Sequence, residues 1–326
     1  MFAKIKNTPS KEKYSIFIVL FAMIFLCSFL NPNFLSANNL SNIMKQLAVS
    51  IILAYGEMLL IISGMLDLSS GAVLALSGVL SIMTYKATGS LVLAVIVAIV
   101  VAVVCNIVNA IMITNLNAPP FIATLVMQQV ARGAALLITS GQNILQLKGY
   151  KVFGQGSIGP VPISIIITIV ITVIIWYVLK HTRLGRSLYA IGGNEEASVA
   201  AGIKVKKNKY IVFIINGVLV GVAGILFMSR VNAGLPNGAI GYEMEGLTAA
   251  IVGGTSFSGG VGTTMGTLAG AFIIGMLNNI MNLIGVDSYI QQILKASIIA
   301  FAVIWDIKSK ARKTRKVILT DGKKAA

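Results

Sequence analysis

Residues 91–115 read LVLAVIVAIVVAVVCNIVNAIMITN, without a single charge. The run is longer than the roughly 20 residues a helix needs to cross the hydrocarbon of a bilayer at about 1.5 Å per residue. It is apolar on every face, so no water-facing side can be drawn on it. In hydrocarbon each backbone N–H and C=O must find its partner inside the segment, which makes a helix the expected form. Working outward, comparable runs occupy 14–30, 43–64, 72–85, 121–139, 161–180, 209–231, 247–256, 263–284 and 290–306. Together they predict an all-α polytopic membrane protein of about ten spans. The runs at 72–85 and 247–256 fall short of the hydrocarbon thickness and are expected to be tilted, broken or shielded inside the bundle.

Composition agrees: 56% of the 326 residues are hydrophobic, 11% are charged and mean hydropathy is +0.89. No stretch remains for a sizeable water-soluble domain, so one membrane domain is expected over 1–326. A net charge of +16 in a soluble protein would suggest nucleic acid, but the cations are clustered. Lys4, Lys6, Lys11 and Lys13 stand in the N-terminal segment 1–13, and Lys180, Arg183, Arg186, Lys204, Lys206, Lys207 and Lys209 mark the loop 181–208. Lys308, Lys310, Arg312, Lys313, Arg315, Lys316, Lys323 and Lys324 mark the tail 307–326. Lys and Arg are retained on the cytoplasmic side during insertion, which places all three clusters and both termini there and requires an even number of spans. Nucleic acid is not expected as a partner; the lipid bilayer is. Cys27 and Cys105 lie inside apolar runs as small hydrophobes, and the run at 14–30 lacks a small-x-small cleavage site, so it reads as a retained helix.

The Gly-rich stretch 253–262, GGTSFSGGVG, lacks the Lys of a phosphate-binding loop and follows an apolar run instead of a strand; it reads as a tight turn or a close helix contact. With His181 as the one histidine, no metal ligand set and no Ser-His-Asp or Cys-His arrangement can be assembled, so no catalytic residue and no metal are expected. Glu57 sits in the middle of a run, where a charge costs about 2.5 kcal/mol or more. It reads either as a pathway or proton-relay group or as a carboxylate satisfied by neighbouring Ser or Asn side chains. Asp67 reads as a cap on the helix that follows, its oxygen accepting N–H groups at Ser69 to Gly71. Gln128, Gln129, Arg132, Asn216, Asn278, Asn279 and Asn282 are polar groups in other spans. Asn278 and Asn282, four apart, share a helix face. Amides suit hydroxyl-rich solutes because each offers donors and an acceptor, and they equally suit helix-to-helix bonding. The glycine-interrupted segments 64–78 and 253–267 echo one another as an internal repeat would, or as close-packed membrane helices do. Within 181–208, Asn194-Glu195-Glu196-Ala197-Ser198-Val199-Ala200-Ala201-Gly202 predicts a short helix capped by Asn194, with two acids in its first turn and Gly202 at its end. Such a helix is suited to docking a partner, or is an ordinary solvated loop helix.

Several stretches in order resemble one family: Asn31-Pro32-Asn33-Phe34, Asp67-Leu68-Ser69, Phe121-Ile122-Ala123-Thr124-Leu125-Val126-Met127, His181-Thr182-Arg183-Leu184-Gly185-Arg186, Tyr189-Ala190-Ile191-Gly192-Gly193-Asn194-Glu195, Gly253-Gly254-Thr255-Ser256, Leu277-Asn278-Asn279 and Asn282-Leu283-Ile284-Gly285-Val286. On these the chain resembles the ribose-type permeases of ATP-binding-cassette (ABC) sugar importers, over nearly its whole length. Met65-Leu66 departs from the Gly-Ile more usual in that family before the Asp-Leu-Ser run. The resemblance implies a multi-pass protein of the bacterial cytoplasmic membrane, without enzymatic activity, that translocates a monosaccharide, ribose first among them. It implies coupling through Asn194, Glu195, Glu196, Ala197 and Gly202 to a cytoplasmic ATPase that holds ATP-Mg, this chain binding no cofactor of its own. A second copy of the permease and an extracytoplasmic sugar-binding protein complete the expected assembly. Glu57, Gln128, Asn278 and Asn282 are the candidate pathway residues. A self-contained ion-coupled carrier centred on Glu57, or a membrane anchor without flux, are the competing readings.

Overall fold

The structure is a computed structural model that describes residues 11–301, 303, 304 and 308. The N-terminal cations Lys4 and Lys6, the basic tail beyond Lys308 and part of the end of the tenth run lie outside the described residues. The helices are α1 (Lys11–Leu30), α2 (Ala37–Ile62), α3 (Ser70–Thr88), α4 (Leu91–Thr114), α5 (Pro120–Thr139), the single turn α6 (Val152–Gln155), α7 (Ile163–His181), α8 (Arg183–Gly193), α9 (Glu195–Ala200), α10 (Val205–Val231), α11 (Tyr242–Val252) and α12 (Thr264–Leu283). A last helix, α13, covers 288–301. One two-stranded hairpin, β1 (Ser157–Ile158) with β2 (Val161–Pro162), interrupts this otherwise helical chain among the described residues.

Seven of these helices, α2, α3, α4, α5, α7, α10 and α12, are long and apolar enough to cross a membrane. Helices stand at the other three expected places too. The apolar part of α1 is the shorter stretch Ile16–Leu30, α11 has 11 residues, and the end of α13 is only partly described. α3 is longer than the run at 72–85 because its polar first turn and its end at Gly89, in a left-handed conformation, escape a hydropathy reading. α11 begins earlier than the run at 247–256: Gly241 turns the chain at φ 86, and Glu243 and Glu245 occupy the first helical turn, where acids are favourable to the helix dipole.

The remaining helix starts follow local chemistry. Ser36, Ser90, Thr182, Asn194 and Thr263 each accept a backbone N–H two or three residues into their helix, and Pro120 opens α5 with the φ that proline already has. α2 is the axis of the bundle, buried from Leu47 to Ile62 and touched by α7, α10, α11 and α12.

α4 shows how sequence becomes packing in an apolar solvent. Ala94, Ala98, Ala102, Asn106 and Ala110 recur every four residues on its buried face, while Val92, Ile96, Val100, Val104 and Val108 face outward. With lipid as apolar as Leu, helices associate through close backbone approach, which small residues permit. α10 answers with Gly217 and Gly221: a Cβ at Gly217 would lie 2.7 Å from Val103 Cα, and one at Gly221 would lie 2.9 Å from Ala98 O. This contact brings Asn216 of α10 level with Asn106 of α4.

Candidate functional site

The interior holds a polar network centred on two carboxylates. Asp67, in the turn between α2 and α3, accepts Ser69 N–H at 2.8 Å and the Ser69 hydroxyl on Oδ1, and Asn216 Nδ2 at 2.8 Å on Oδ2. Asn216 Nδ2 also reaches Asn106 Oδ1 at 2.9 Å, and Asn109 Nδ2 donates to Ser69 Oγ at 3.0 Å. Glu57, on α2, accepts the Ser70 hydroxyl at 2.9 Å and Asp67 N–H at 3.3 Å. Glu57, Asp67, Asn106, Asn109 and Asn216 are all buried. The donors to both carboxylates are neutral and come from the turn between α2 and α3, from Ser70 at the start of α3 and, for Asp67, from α10. Beside it, Glu243 of α11 accepts Gln128 Nε2 at 3.3 Å and Gly241 N–H at 3.2 Å, with Oε2 directed at Gly71 and without a partner among the described residues. Arg132 of α5 donates to Pro236 O and Gly238 O, both at 2.7 Å, and so fixes the segment that leads into α11.

A second constellation joins α2, α11, α12 and α13. Glu245 Oε1 accepts Lys295 Nζ at 2.9 Å and Asn278 Nδ2 at 3.0 Å, while Oε2 accepts Ser50 Oγ at 3.2 Å. Next to this ion pair lies a cavity of about 460 Å³ between α11, α12 and α13. Asn282 is exposed and accepts Gln291 Nε2 at 2.9 Å; Asn279 exchanges hydrogen bonds with Asn39 of α2.

At the end of the bundle where α2 finishes, α8 and α9 form a surface. Asn194 Oδ1 accepts Ala197 N–H at 2.8 Å and starts α9; Gly202, at φ 79, ends it. Glu195 pairs with Lys209 of α10 at 2.8 Å, whereas Glu196, Ala197, Val199 and Ala200 are exposed. α8 is bonded to the membrane helices through the glycine-rich segment: Gly260 N–H donates to Ile62 O at 2.9 Å and the Tyr189 hydroxyl to Gly262 O at 2.8 Å. Burial pushes the Tyr189 phenol above its ordinary value. A Cβ on Gly192 would overlap Ile62 O. The stretch 253–262 is thus a backbone joint between α8 and the end of α2.

The model of a permease family described as the branched-chain amino acid transport system permease component matches residues 39–303. The chain is 40% identical over 303 residues to the ribose import permease protein RbsC of Bacillus subtilis (strain 168), covering 92% of this chain and 94% of that protein. It is 39% identical to the ribose import permease protein RbsC of Escherichia coli (strain K12), covering 90% and 93%. It is 33% identical to the L-arabinose transport system permease protein AraH of Escherichia coli (strain K12), covering 93% of each. This chain belongs to the ribose-type ABC sugar permease family. The permease is accordingly a multi-pass protein of the bacterial cytoplasmic membrane. No solved structure matches it significantly.

Of the residues singled out in the permease sequence, Glu57 belongs to the interior network, and Gln128 stands beside it, bonded to Glu243. Asn278 joins the second constellation, and Asn282, on the same helix, lies apart from it at the exposed end of α12. Asn194, Glu195, Glu196, Ala197 and Gly202 lie together on and around α9, as their order along the chain requires. His181 is the last residue of α7, its ring against Trp176 and Tyr177 as in an interfacial aromatic belt. Sequence reasoning missed Ser50, Asn106, Asn109, Glu243, Glu245 and Lys295. A cation inside the apolar run 290–306 was a usable signal for Lys295, since an intramembrane charge calls for a partner. Glu243 and Glu245 were concealed because hydropathy assigned them to a loop.

Proposed function

We propose that the permease is the translocating subunit of an ATP-driven importer for a monosaccharide, ribose first, working by alternating access. It acts as one membrane domain over 1–326, with ten spans, both termini in the cytoplasm and no enzymatic activity. Two copies form the path, each docked to a separate ATPase that holds ATP-Mg, and an extracytoplasmic binding protein delivers the sugar. The observation that carries this reading is α9: a short, capped, exposed helix that follows α8 and through it and the 253–262 joint reaches the end of the central helix α2. An ATPase that displaces α9 moves α8 and so bears on α2, and rigid elements moving about such joints are how domain motions reach a distant path. The ribose import permeases among its relatives support the choice of sugar. Glu57, Gln128, Asn278 and Asn282 remain the candidates for the path.

Uptake of labelled ribose, with galactose, xylose, L-arabinose and D-allose as comparisons, is measured in vesicles carrying the permease, its ATPase and its binding protein, with and without ATP. ATP-dependent uptake that disappears in Glu196→Lys, together with ATPase pull-down, is the expected result, because the reversal places a cation at the exposed face of α9 without touching the bundle. Uptake that ignores ATP and follows a proton gradient would instead establish an ion-coupled carrier centred on Glu57.

A further inference from the structure

We infer that the cavity between α11, α12 and α13 is a binding station for an uncharged, polyhydroxylated solute, held by Glu245, Lys295 and Gln292. This rests on the reading of the chain as a sugar permease and adds where inside it the sugar is held. At about 460 Å³ the cavity falls in the range of small-molecule sites, roughly 300–1,000 Å³, and its wall sets the polar side chains Glu245, Thr248, Ser288, Gln291, Gln292 and Lys295 among apolar ones. Ile240, Met244 and Ile274 supply apolar surface.

The charges in the wall cancel, since Glu245 and Lys295 form an ion pair at 2.9 Å. A net-neutral wall suits a neutral solute and disfavours an ion. The pair is expensive where it is, since ionisable groups within spans are costly. It also leaves hydrogen-bonding capacity unspent. Lys295 has three N–H groups and gives one to Glu245, and its side chain is 32% exposed. Gln292, exposed in the cavity wall, makes no side-chain hydrogen bond among the described residues. Asn278, buried behind the wall, holds Glu245 in place through Nδ2 at 3.0 Å. Donors and acceptors free side by side on a neutral wall are what adjacent hydroxyl groups require, each hydroxyl giving one hydrogen bond and accepting others.

The test is ribose uptake by the reconstituted complex in Gln292→Ala, Lys295→Gln and the charge exchange Glu245→Lys with Lys295→Glu, with ATPase pull-down and sugar-independent ATP hydrolysis recorded alongside. Uptake is expected to fall about tenfold or more in Lys295→Gln, the scale set by losing a hydrogen bond to a charged group, and several-fold in Gln292→Ala, with assembly and basal hydrolysis retained. The charge exchange restores an ion pair and should not restore uptake. Uptake at wild-type level in Gln292→Ala and Lys295→Gln, or its full recovery on charge exchange, would overturn the station and leave a structural ion pair. If the charge variants do not assemble, Gln292→Ala decides alone. A wild-type complex that takes up no monosaccharide would refute the permease reading and this inference with it, an outcome distinct from unchanged uptake in the variants.

Discussion

Asn216→Leu should loosen the bundle from the inside, and its cost can be worked from the hydrogen bonds it breaks. Nδ2 of Asn216 donates to Asp67 Oδ2 at 2.8 Å and to Asn106 Oδ1 at 2.9 Å, and both acceptors are buried. The bond to Asn106 is a neutral interhelical one, worth about 0.6 kcal/mol on average in membranes. The bond to the Asp67 carboxylate is worth about 1.5–3 kcal/mol, because a carboxylate left short of a donor inside the bundle finds no water to replace it. The sum is about 2–3.5 kcal/mol. Unfolding of the purified permease in mixed micelles measures it. The informative comparison is the cycle with Asp67→Asn, which removes the excess negative charge that Asn216 satisfies. The double variant should then be less damaged than the two single losses added together, by about 1 kcal/mol or more. Additivity within about 0.5 kcal/mol would refute the idea that Asn216 acts through Asp67.

Gly192→Ala should cut ATP-driven uptake about tenfold or more while the ATPase remains bound, because the new Cβ overlaps Ile62 O and forces α8 off the end of α2; pull-down and uptake on the same membranes check it, and intact uptake would remove this joint from the coupling route. Gly221→Leu should destabilise the bundle by about 1–3 kcal/mol by driving α10 from α4, read as thermal unfolding in detergent. Lys209→Gln breaks the Glu195 pair, in which Glu195 is 52% exposed, so stability should change by less than about 1 kcal/mol and ATPase binding by no more than a few-fold; a larger loss would mean that this pair orients α9.

Several features of the permease were legible because they depend on neighbours in sequence. The uniform apolarity of 91–115 requires a helix in lipid whatever surrounds it, and α4 covers nearly the same residues. The cap Asn194, the acids behind it and the stop at Gly202 act over a few residues, so α9 was readable without the rest of the molecule. Asp67 was read as a cap on α3, but the N–H it accepts is that of Ser69, the residue before the helix, which starts without a side-chain cap, and its other oxygen is bound by Asn216 from α10, 149 positions away. That partner is outside any sequence window, and α11 shows the complementary limit: Glu243 and Glu245 broke the apolar run that hydropathy needs, although both belong to the helix.

What the sequence by itself determined is therefore the class of solvent, the places of the helices, the short helix offered at the bundle's end, and, through ordered motifs, the family. Tertiary structure alone decided which polar groups meet: Asp67 with Asn106 and Asn216, Glu243 with Gln128, and Glu245 with Lys295, Asn278 and Ser50. The physical reason is that hydropathy and capping are short-range properties of the chain. A buried hydrogen bond between helices depends on how closely two backbones approach, and here that approach is set by glycines and alanines such as Gly217, Gly221, Ala98 and Ala102, whose contribution is the space they leave empty.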